Sequence, residues 1–265
     1  KQVDFEPILV SPLNPKRRSA ELDKIARIAA MITNIDQNVA KLFEQLDRMG
    51  IAEDTIVIYL NDNGPNTLRY VGEMRGRKSE VHDGGIRSPL LFHWPRKVRG
   101  GTASDQFTAH IDVLPTILEA CDVDKPAGLR LDGRSFLTLL TEPSKTGSER
   151  FWPQRQVVFQ THRGNVPQIY NHFAIHEGRW KLVHPSGFGN ETIRGEPKFE
   201  LYDLESDPKQ QVDLAASQPG VVKRLKAGYE TWFADVSSTR KDNYAPPRIV
   251  SGTRHEDPCV LTRQD

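Results

Sequence analysis

Between Leu22 and Met49 the apolar residues Leu22, Ile25, Ile28, Ile32, Ile35, Val39, Leu42, Leu46 and Met49 recur at intervals of three and four. That spacing puts them on one stripe of an α-helix. Ser19 stands where an N-cap is expected and Gly50 where a left-handed stop would end the helix. The pattern then changes, because Thr55-Ile56-Val57-Ile58-Tyr59-Leu60 is a continuous β-branched and apolar run. A strand without alternation is expected to be buried on both faces, as in a parallel sheet between helix layers. The long helix is expected to cover such a sheet with its one apolar face, so the two together predict an α/β layer fold.

The following elements extend that reading. Pro89 to Trp94 predicts a second buried strand, and a helix begins at Asp112 with Pro115 in its first turn and Ile111, Leu114, Ile117 and Leu118 turned inward. The three prolines within residues 1–18, without sustained periodicity, predict an extended lead-in. The polar stretch from Thr141 to Ser148 reads as a linker or long loop, after which short strands are predicted at Val157–Gln160, His172–His176, Trp180–Val183 and Phe199–Tyr202. The second and third form a hairpin candidate turning at Gly178. Val221, Leu225, Tyr229, Trp232 and Phe233 make a closing amphipathic helix. The expected division is an α/β domain over 1–148, a smaller antiparallel α+β domain over 149–240 and a loop-rich tail over 241–265.

Composition narrows the functional classes. Of 265 residues, 37% are hydrophobic, enough for a sizeable core, and 36 basic residues nearly cancel 35 acidic ones. No global field steers the chain to nucleic acid or to an anionic membrane. No stretch approaches the roughly 20 apolar residues that a membrane-spanning helix needs. Two cysteines, Cys121 and Cys259, make neither a disulfide framework nor a thiolate metal site, and Cys121 at the end of a helical pattern reads as a core residue. Lys1 opens the chain without an initiator Met or a signal pattern, so the expectation is a cut within a longer protein.

Asn61-Asp62-Asn63-Gly64 directly follows the first strand. The carboxyl ends of strands are where open α/β sheets hold ligands. Asp62 and Asn63 offer a carboxylate and an amide oxygen side by side, hard donors suited to Ca²⁺, although such a cluster also serves as a plain turn. Further on, Gly76-Arg77-Lys78-Ser79-Glu80-Val81-His82-Asp83-Gly84-Gly85-Ile86-Arg87-Ser88-Pro89 places a lysine ahead of a double glycine that leads into a strand.

The strand, the Asp-Asn-Gly, the Gly-x-Lys followed by an acidic residue and Gly-Gly-Ile-Arg-x-Pro, and Ile111-Asp112-Val113-Leu114-Pro115-Thr116 together resemble the sulfatase family. Arg179-Trp180-Lys181-Leu182 and Glu200-Leu201-Tyr202-Asp203-Leu204-Glu205-Ser206-Asp207-Pro208 look like that family's C-terminal subdomain. The likeness runs to about Val236. It implies an alkaline-phosphatase-like layered sheet, present in part, and a calcium-dependent sulfuric ester hydrolase of arylsulfatase type. Asp62 and Asn63 would be two metal ligands, and Lys78 would reach a sulfate oxygen at the same strand-end crevice. The expected substrate is a sulfated small molecule or a sulfated sugar, and the expected compartment is periplasmic or secreted. Family members use a formylglycine made in a Cys-x-Pro-x-Arg motif of their N-terminal half. That motif, the paired N-terminal Asp ligands and the N-terminal Lys and His have no counterpart here, so the chain alone is expected to be inactive. Cys259-Val260-Leu261-Thr262-Arg263 imitates the spacing with Leu261 in place of Pro, and is read as coincidence. A phosphodiesterase or phosphonate hydrolase of the same superfamily is the alternative enzyme. Asn63 argues against it, because zinc-type relatives typically place an imidazole there. An inactive or carbohydrate-binding fragment is the non-enzymatic reading.

The remaining polar residues are given structural roles. Arg87 and Asp112 read as an ion-pair or capping set, His110 as support for that turn, and His82 as a solvated loop histidine. His162 and His172 are candidates for the rim of a substrate pocket, while Trp180, Trp232 and Phe233 are read as packing.

Overall fold

A computed structural model of the chain describes residues 9, 13–142, 152–161, 167–185, 193, 195–239, 249–251 and 259–261. The chain divides into two compact units, one formed by Lys1–Glu73 with Ile86–Arg155 and the other by Met74–Gly85 with Gln156–Asp265. The segment Met74–Gly85, which carries the double glycine, therefore belongs with the later part of the chain.

The first unit opens with α1 (Pro15–Arg48), which starts a turn earlier than Ser19. Asn14 is the cap. Its side chain accepts the Arg17 backbone N–H at 3.0 Å, and Pro15 enters with φ already set for a helix and no amide to satisfy. The far end is closed by Gly50 at φ +68°, with the Ile51 N–H donating to the Leu46 carbonyl at 3.1 Å and the Gly50 N–H to that of Asp47 at 3.0 Å. Those two crossed bonds need a left-handed residue at Gly50, which is the reason for a glycine there.

The sheet expected beneath α1 is present in part. Among the described residues β1 (Val57–Leu60) pairs with β2 (Leu90–His93) alone, and antiparallel, with Val57 opposite His93 and Leu60 opposite Leu90. The expectation of a parallel strand buried on both faces is corrected, since Tyr59, Leu60 and Leu91 are exposed. The expectation that α1 covers a sheet is corrected with it. Only Glu21 and Ile25 of that helix are buried, and Met31, Ile32, Ile35 and Leu42 stay 59%, 55%, 45% and 46% exposed. Two four-residue strands offer too little surface for a 34-residue helix.

One helical turn, α2 (Asp83–Ile86), precedes β2, and α3 (Val113–Ala120) and α4 (Leu137–Thr141) follow it. Phe136, Leu139 and Trp152 form the core of this unit, with Leu90, Phe92, Val113 and Leu140 packed on them. The buried side of α3 is polar, contrary to the sequence pattern. Leu114 and Ile117 face solvent, whereas Asp112 and Thr116 are fully buried. Thr116 Oγ1 accepts the Phe136 N–H at 3.0 Å and donates to the Asp112 carbonyl at 2.7 Å, so the hydroxyl is satisfied in both directions. Cys121, expected in the core, is exposed, because it follows the last turn of α3 as its C-cap.

The second unit is built on an antiparallel meander of β3 (Gln156–Gln160), β4 (Phe173–Glu177), β5 (Trp180–His184) and β6 (Glu200–Asp203). All four predicted strands are present to within a residue at each end. Glu177 pairs with Trp180, leaving a two-residue turn whose first member, Gly178, has φ +56°. Period-two alternation then sorts the side chains. Phe173, Ile175, Leu182 and Leu201 share one face and meet Leu225 and Tyr229 of α5 (Pro219–Thr239), with Trp180, Val221, Trp232 and Phe233 packed around them. The expected closing helix is thus in place. Ala174, Val183 and Tyr202 turn to the opposite face and pack on Val81 of the Met74–Gly85 segment. A short pair, β7 (Ile249–Ser251) with β8 (Cys259–Leu261), lies within the tail expected to be loop-rich. Among the described residues no helix is long and apolar enough to cross a membrane.

Candidate functional site

Asp62 and Asn63 sit where β1 ends. The turn is tied back to the neighbouring strand, since the Asn61 N–H donates to the Pro89 carbonyl at 3.3 Å and the Ser88 hydroxyl donates to the Asn61 carbonyl at 2.7 Å. Asp62 is exposed and Asn63 half-buried, with the Asn63 amide donating to Asp62 Oδ1 at 2.5 Å. The two side chains are thus neighbours, with the amide nitrogen of Asn63 turned to the carboxylate. Their donor chemistry fits Ca²⁺, which takes six to eight oxygen ligands, but two residues supply only part of such a shell. Among the described residues no group of three or more His, Cys, Asp and Glu side chains could hold a metal by itself.

Lys78 lies on the Met74–Gly85 segment in the second unit, with its side chain exposed. This segment is folded tightly on itself. The Gly84 N–H donates to the Arg75 carbonyl at 2.7 Å, and a Cβ at Gly84 would come within 2.3 Å of the Gly76 carbonyl oxygen. A Cβ at Gly85 would meet the Glu80 carbonyl oxygen at 2.1 Å. The double glycine is thus required by close backbone approach, and neither glycine adopts positive φ. Ser79, directly after Lys78, does adopt it at φ +74°, a strained backbone for a residue with a side chain.

The folded segment is pinned to the meander at three points. Asp83 meets Lys181, whose Nζ donates to Asp83 Oδ1 at 2.5 Å, and Gln210 brackets the carboxylate by donating to Oδ1 at 3.1 Å while accepting the Asp83 N–H at 3.2 Å. Lys181 is fully buried in the middle of β5, and burial pulls its pKa down against the opposing pull of Asp83. Arg75 donates to the Tyr202 hydroxyl at 2.5 Å and to Glu200 at 3.2 Å, and Tyr202 in turn donates to Glu200. His82 reaches the same carboxylate at 3.4 Å. Finally, His172 Nε2 donates to the carbonyl of Ser79 itself.

These contacts correct two sequence readings. His82 is buried, not solvated. Desolvation, with the nearby Arg75 and Lys181 charges, lowers its pKa to about 4, so the ring is neutral near pH 7. His172 is buried, with its ring against the Ser79 carbonyl; His162 lies outside the described residues. Asp112 has the structural role expected of it. It accepts the Ala109 N–H at 2.8 Å, the Arg134 N–H at 2.9 Å and a bidentate guanidinium from Arg155, while Arg134 stacks 3.8 Å over the Trp152 ring. His110 and Arg87 are exposed. The sequence reading missed Arg75, Asp83, Lys181, Glu200 and Gln210. One signal was available, a lysine inside the otherwise apolar run Trp180-Lys181-Leu182-Val183, which requires a buried acidic partner.

The sulfatase family model matches residues 11–123, and the model described as "N-sulphoglucosamine sulphohydrolase, C-terminal" matches 77–230, over half of the chain. The chain belongs to the sulfatase family. It is 29% identical over 233 residues to the uncharacterized sulfatase YdeN of Escherichia coli, covering 78% of this chain and 40% of that protein. To human arylsulfatase A it is 25% identical over 251 residues, covering 86% of this chain and 46% of the relative. Its fold resembles the crystal structure of the putative sulfatase yidJ from Bacteroides fragilis, with a TM-score of 0.63 at 17% identity, covering 89% of this chain and 49% of the other. The sulfatase chain therefore spans less than half the length of these relatives. The expected α/β class stands, with its sheets antiparallel in the described residues.

Proposed function

We propose that this chain contributes the sulfate-binding lysine, Lys78, and two calcium ligands, Asp62 and Asn63, to a hydrolase of sulfate esters whose nucleophile comes from polypeptide beyond these 265 residues. The observation that carries the reading is the segment around Lys78. A lysine with an exposed side chain stands directly before a residue at φ +74°, in a segment tied down by the buried Lys181–Asp83 pair on one side and by the His172 hydrogen bond to the Ser79 carbonyl next to it. A solvated loop lysine needs no such support, whereas a group that must meet developing charge does. The family match and the adjacent carboxylate and amide side chains at the end of β1 support the same reading. The family model fitted to 77–230, described by an N-sulfated sugar, favours a sulfated sugar over other esters as the substrate class.

Cleavage of a sulfate ester shifts negative charge onto the leaving oxygen and the sulfuryl oxygens. A bound Ca²⁺ would supply Lewis-acid stabilisation of that charge. Lys78 donates hydrogen bonds and a positive charge to the sulfuryl oxygens, which strengthen as the charge develops. The Asp62 carboxylate provides negative charge for the cation that an amide cannot replace, and Asn63 adds a neutral oxygen.

Hydrolysis of a chromogenic aryl sulfate and a sulfated monosaccharide by the full-length gene product, beside a phosphonate monoester, tests the proposal. The expected result is sulfatase activity that Lys78→Ala lowers by about 10²–10³ in kcat, with Ca²⁺ affinity reduced by Asp62→Asn but not by Lys78→Ala. The chain of 265 residues alone should give no useful turnover. Faster phosphonate than sulfate turnover, or a Lys78→Ala enzyme as fast as wild type, would refute it.

A further inference from the structure

Meander residues far from Lys78 in sequence hold the backbone on both sides of it. We infer that the antiparallel meander acts as the positioning template for Lys78, with Lys181 as the principal positioning residue, acting through Asp83 and the segment Met74–Gly85. This deepens the proposed function and rests on Lys78 being the group that meets the sulfuryl oxygens.

Four observations carry it. Lys181 is charged, fully buried and central in β5, a place where an apolar residue would pack more simply. Its Nζ reaches out of the sheet to Asp83, at the C-terminal foot of the segment, and Gln210 fixes the same carboxylate and the Asp83 amide, so that both the charge and the backbone there are held. At the N-terminal foot, Arg75 grips Tyr202 and Glu200 of β6, the strand hydrogen-bonded to β5. Between the two feet His172 accepts no freedom for Ser79, because its ring N–H engages that carbonyl while the residue is at φ +74°. Lys78 is bonded to Ser79, so these ties restrict where its Cα can move. A buried ion pair adds little net stability over an apolar pair of the same volume, yet it fixes a unique geometry, since losing either partner strands the other. That property suits positioning better than it suits packing.

The discriminating experiment is a double-mutant cycle in the full-length gene product, assayed on an aryl sulfate, with Lys181→Met combined with Asp83→Asn as the perturbation so that no charge is left buried alone. Acting through Lys78, this pair should lower kcat by about tenfold to a hundredfold with KM changed far less. Added to Lys78→Ala, it should cause no further loss, because the group it positions is already absent. A merely structural role would instead multiply with Lys78→Ala, and that outcome overturns the inference, as does wild-type kcat in the Lys181→Met/Asp83→Asn protein. Lys181→Arg, which keeps the charge, should retain most of the activity and guards against a folding failure. The clamp can also be tested without turnover, by tryptic cleavage of the 265-residue chain after Arg77 and Lys78. Cleavage should be slow in the wild type and fast in the Lys181→Met/Asp83→Asn chain, with Lys181→Arg close to wild type. Equal cleavage rates in all three overturn the clamp. A full-length protein without sulfatase activity whose chain still shows the difference in cleavage would instead refute the proposed function and leave the clamp standing.

Discussion

At the scale of single residues, burial decides what chemistry a side chain has. His82, next to Asp83, would be an ordinary titrating histidine in a solvated loop, but it is 3% exposed and faces Arg75 and Lys181 as well as Glu200. Its pKa is lowered from 6.5 to about 4, so the folded protein resists a proton that the unfolded chain accepts. Stability contributed this way is present above pH 6.5 and is lost as the pH falls towards 4. The melting temperature should therefore drop over that interval, and His82→Asn should flatten the drop while lowering stability at pH 7. Thermal melts of both proteins between pH 7 and 4 provide the check, and parallel curves would show that another group is responsible. Asp203 illustrates the opposite case. The Arg179 guanidinium beside it, with Ser206 and the Glu205 amide, holds its carboxyl down at about 2.

Elements in this chain are set as much by buried polar contacts as by apolar stripes. α3 leaves Leu114 and Ile117 exposed and buries Thr116, because Thr116 and the N-cap Asp112 anchor the loops that arrive at Arg134 and Phe136. Gly133 belongs to this arrangement, as a Cβ there would come within 1.9 Å of the Ile111 carbonyl oxygen. Thr116→Val keeps the shape of the side chain but removes the acceptor of the Phe136 amide and should cost about 1–3 kcal/mol, whereas Thr116→Ser, which keeps the hydroxyl, should cost less. Denaturant titration followed by Trp152 fluorescence would measure both. A smaller loss in Val than in Ser would show that the methyl group, not the hydrogen bond, matters. α5 follows the simpler rule. Leu225 and Tyr229 are fully buried against Phe173, Ile175 and Leu182, and the periodicity that predicts the helix also predicts its packed face.

For the molecule as a whole, the exposed stripe of α1 is the feature most out of keeping with a soluble surface. Met31, Ile32, Ile35 and Leu42 lie within about three helical turns along it, each about half exposed. Apolar surface of this extent binds hydrophobic dyes and promotes association. The substitutions Ile35→Lys and Leu42→Lys should reduce dye binding and aggregation of the 265-residue chain while changing its stability by no more than about 0.5 kcal/mol, since neither side chain is buried. Fluorescent dye titration and light scattering would check the first effect and a thermal melt the second. A large fall in melting temperature would mean that the stripe is packed in solution.

Local order along the chain carried the long helix, its glycine stop, the four strands of the meander, their hairpin and the closing helix, because periodicity and turn chemistry act over a few residues. The Asp-Asn-Gly and Gly-x-Lys motifs are short runs too, and their reading as a site comes from the resemblance to the sulfatase family rather than from spacing. Which faces would be covered was not. The antiparallel pairing of β1, the open stripe of α1 and the exposure of Cys121 depend on how much sheet is present to pack against, which no window of sequence contains. Nor could spacing join Asp83 to Lys181, 98 residues apart, or Arg75 to Tyr202, 127 apart. Only the folded chain brings those charges out of water together, and desolvation is what gives them, and His82 between them, properties that the same residues lack in an open chain.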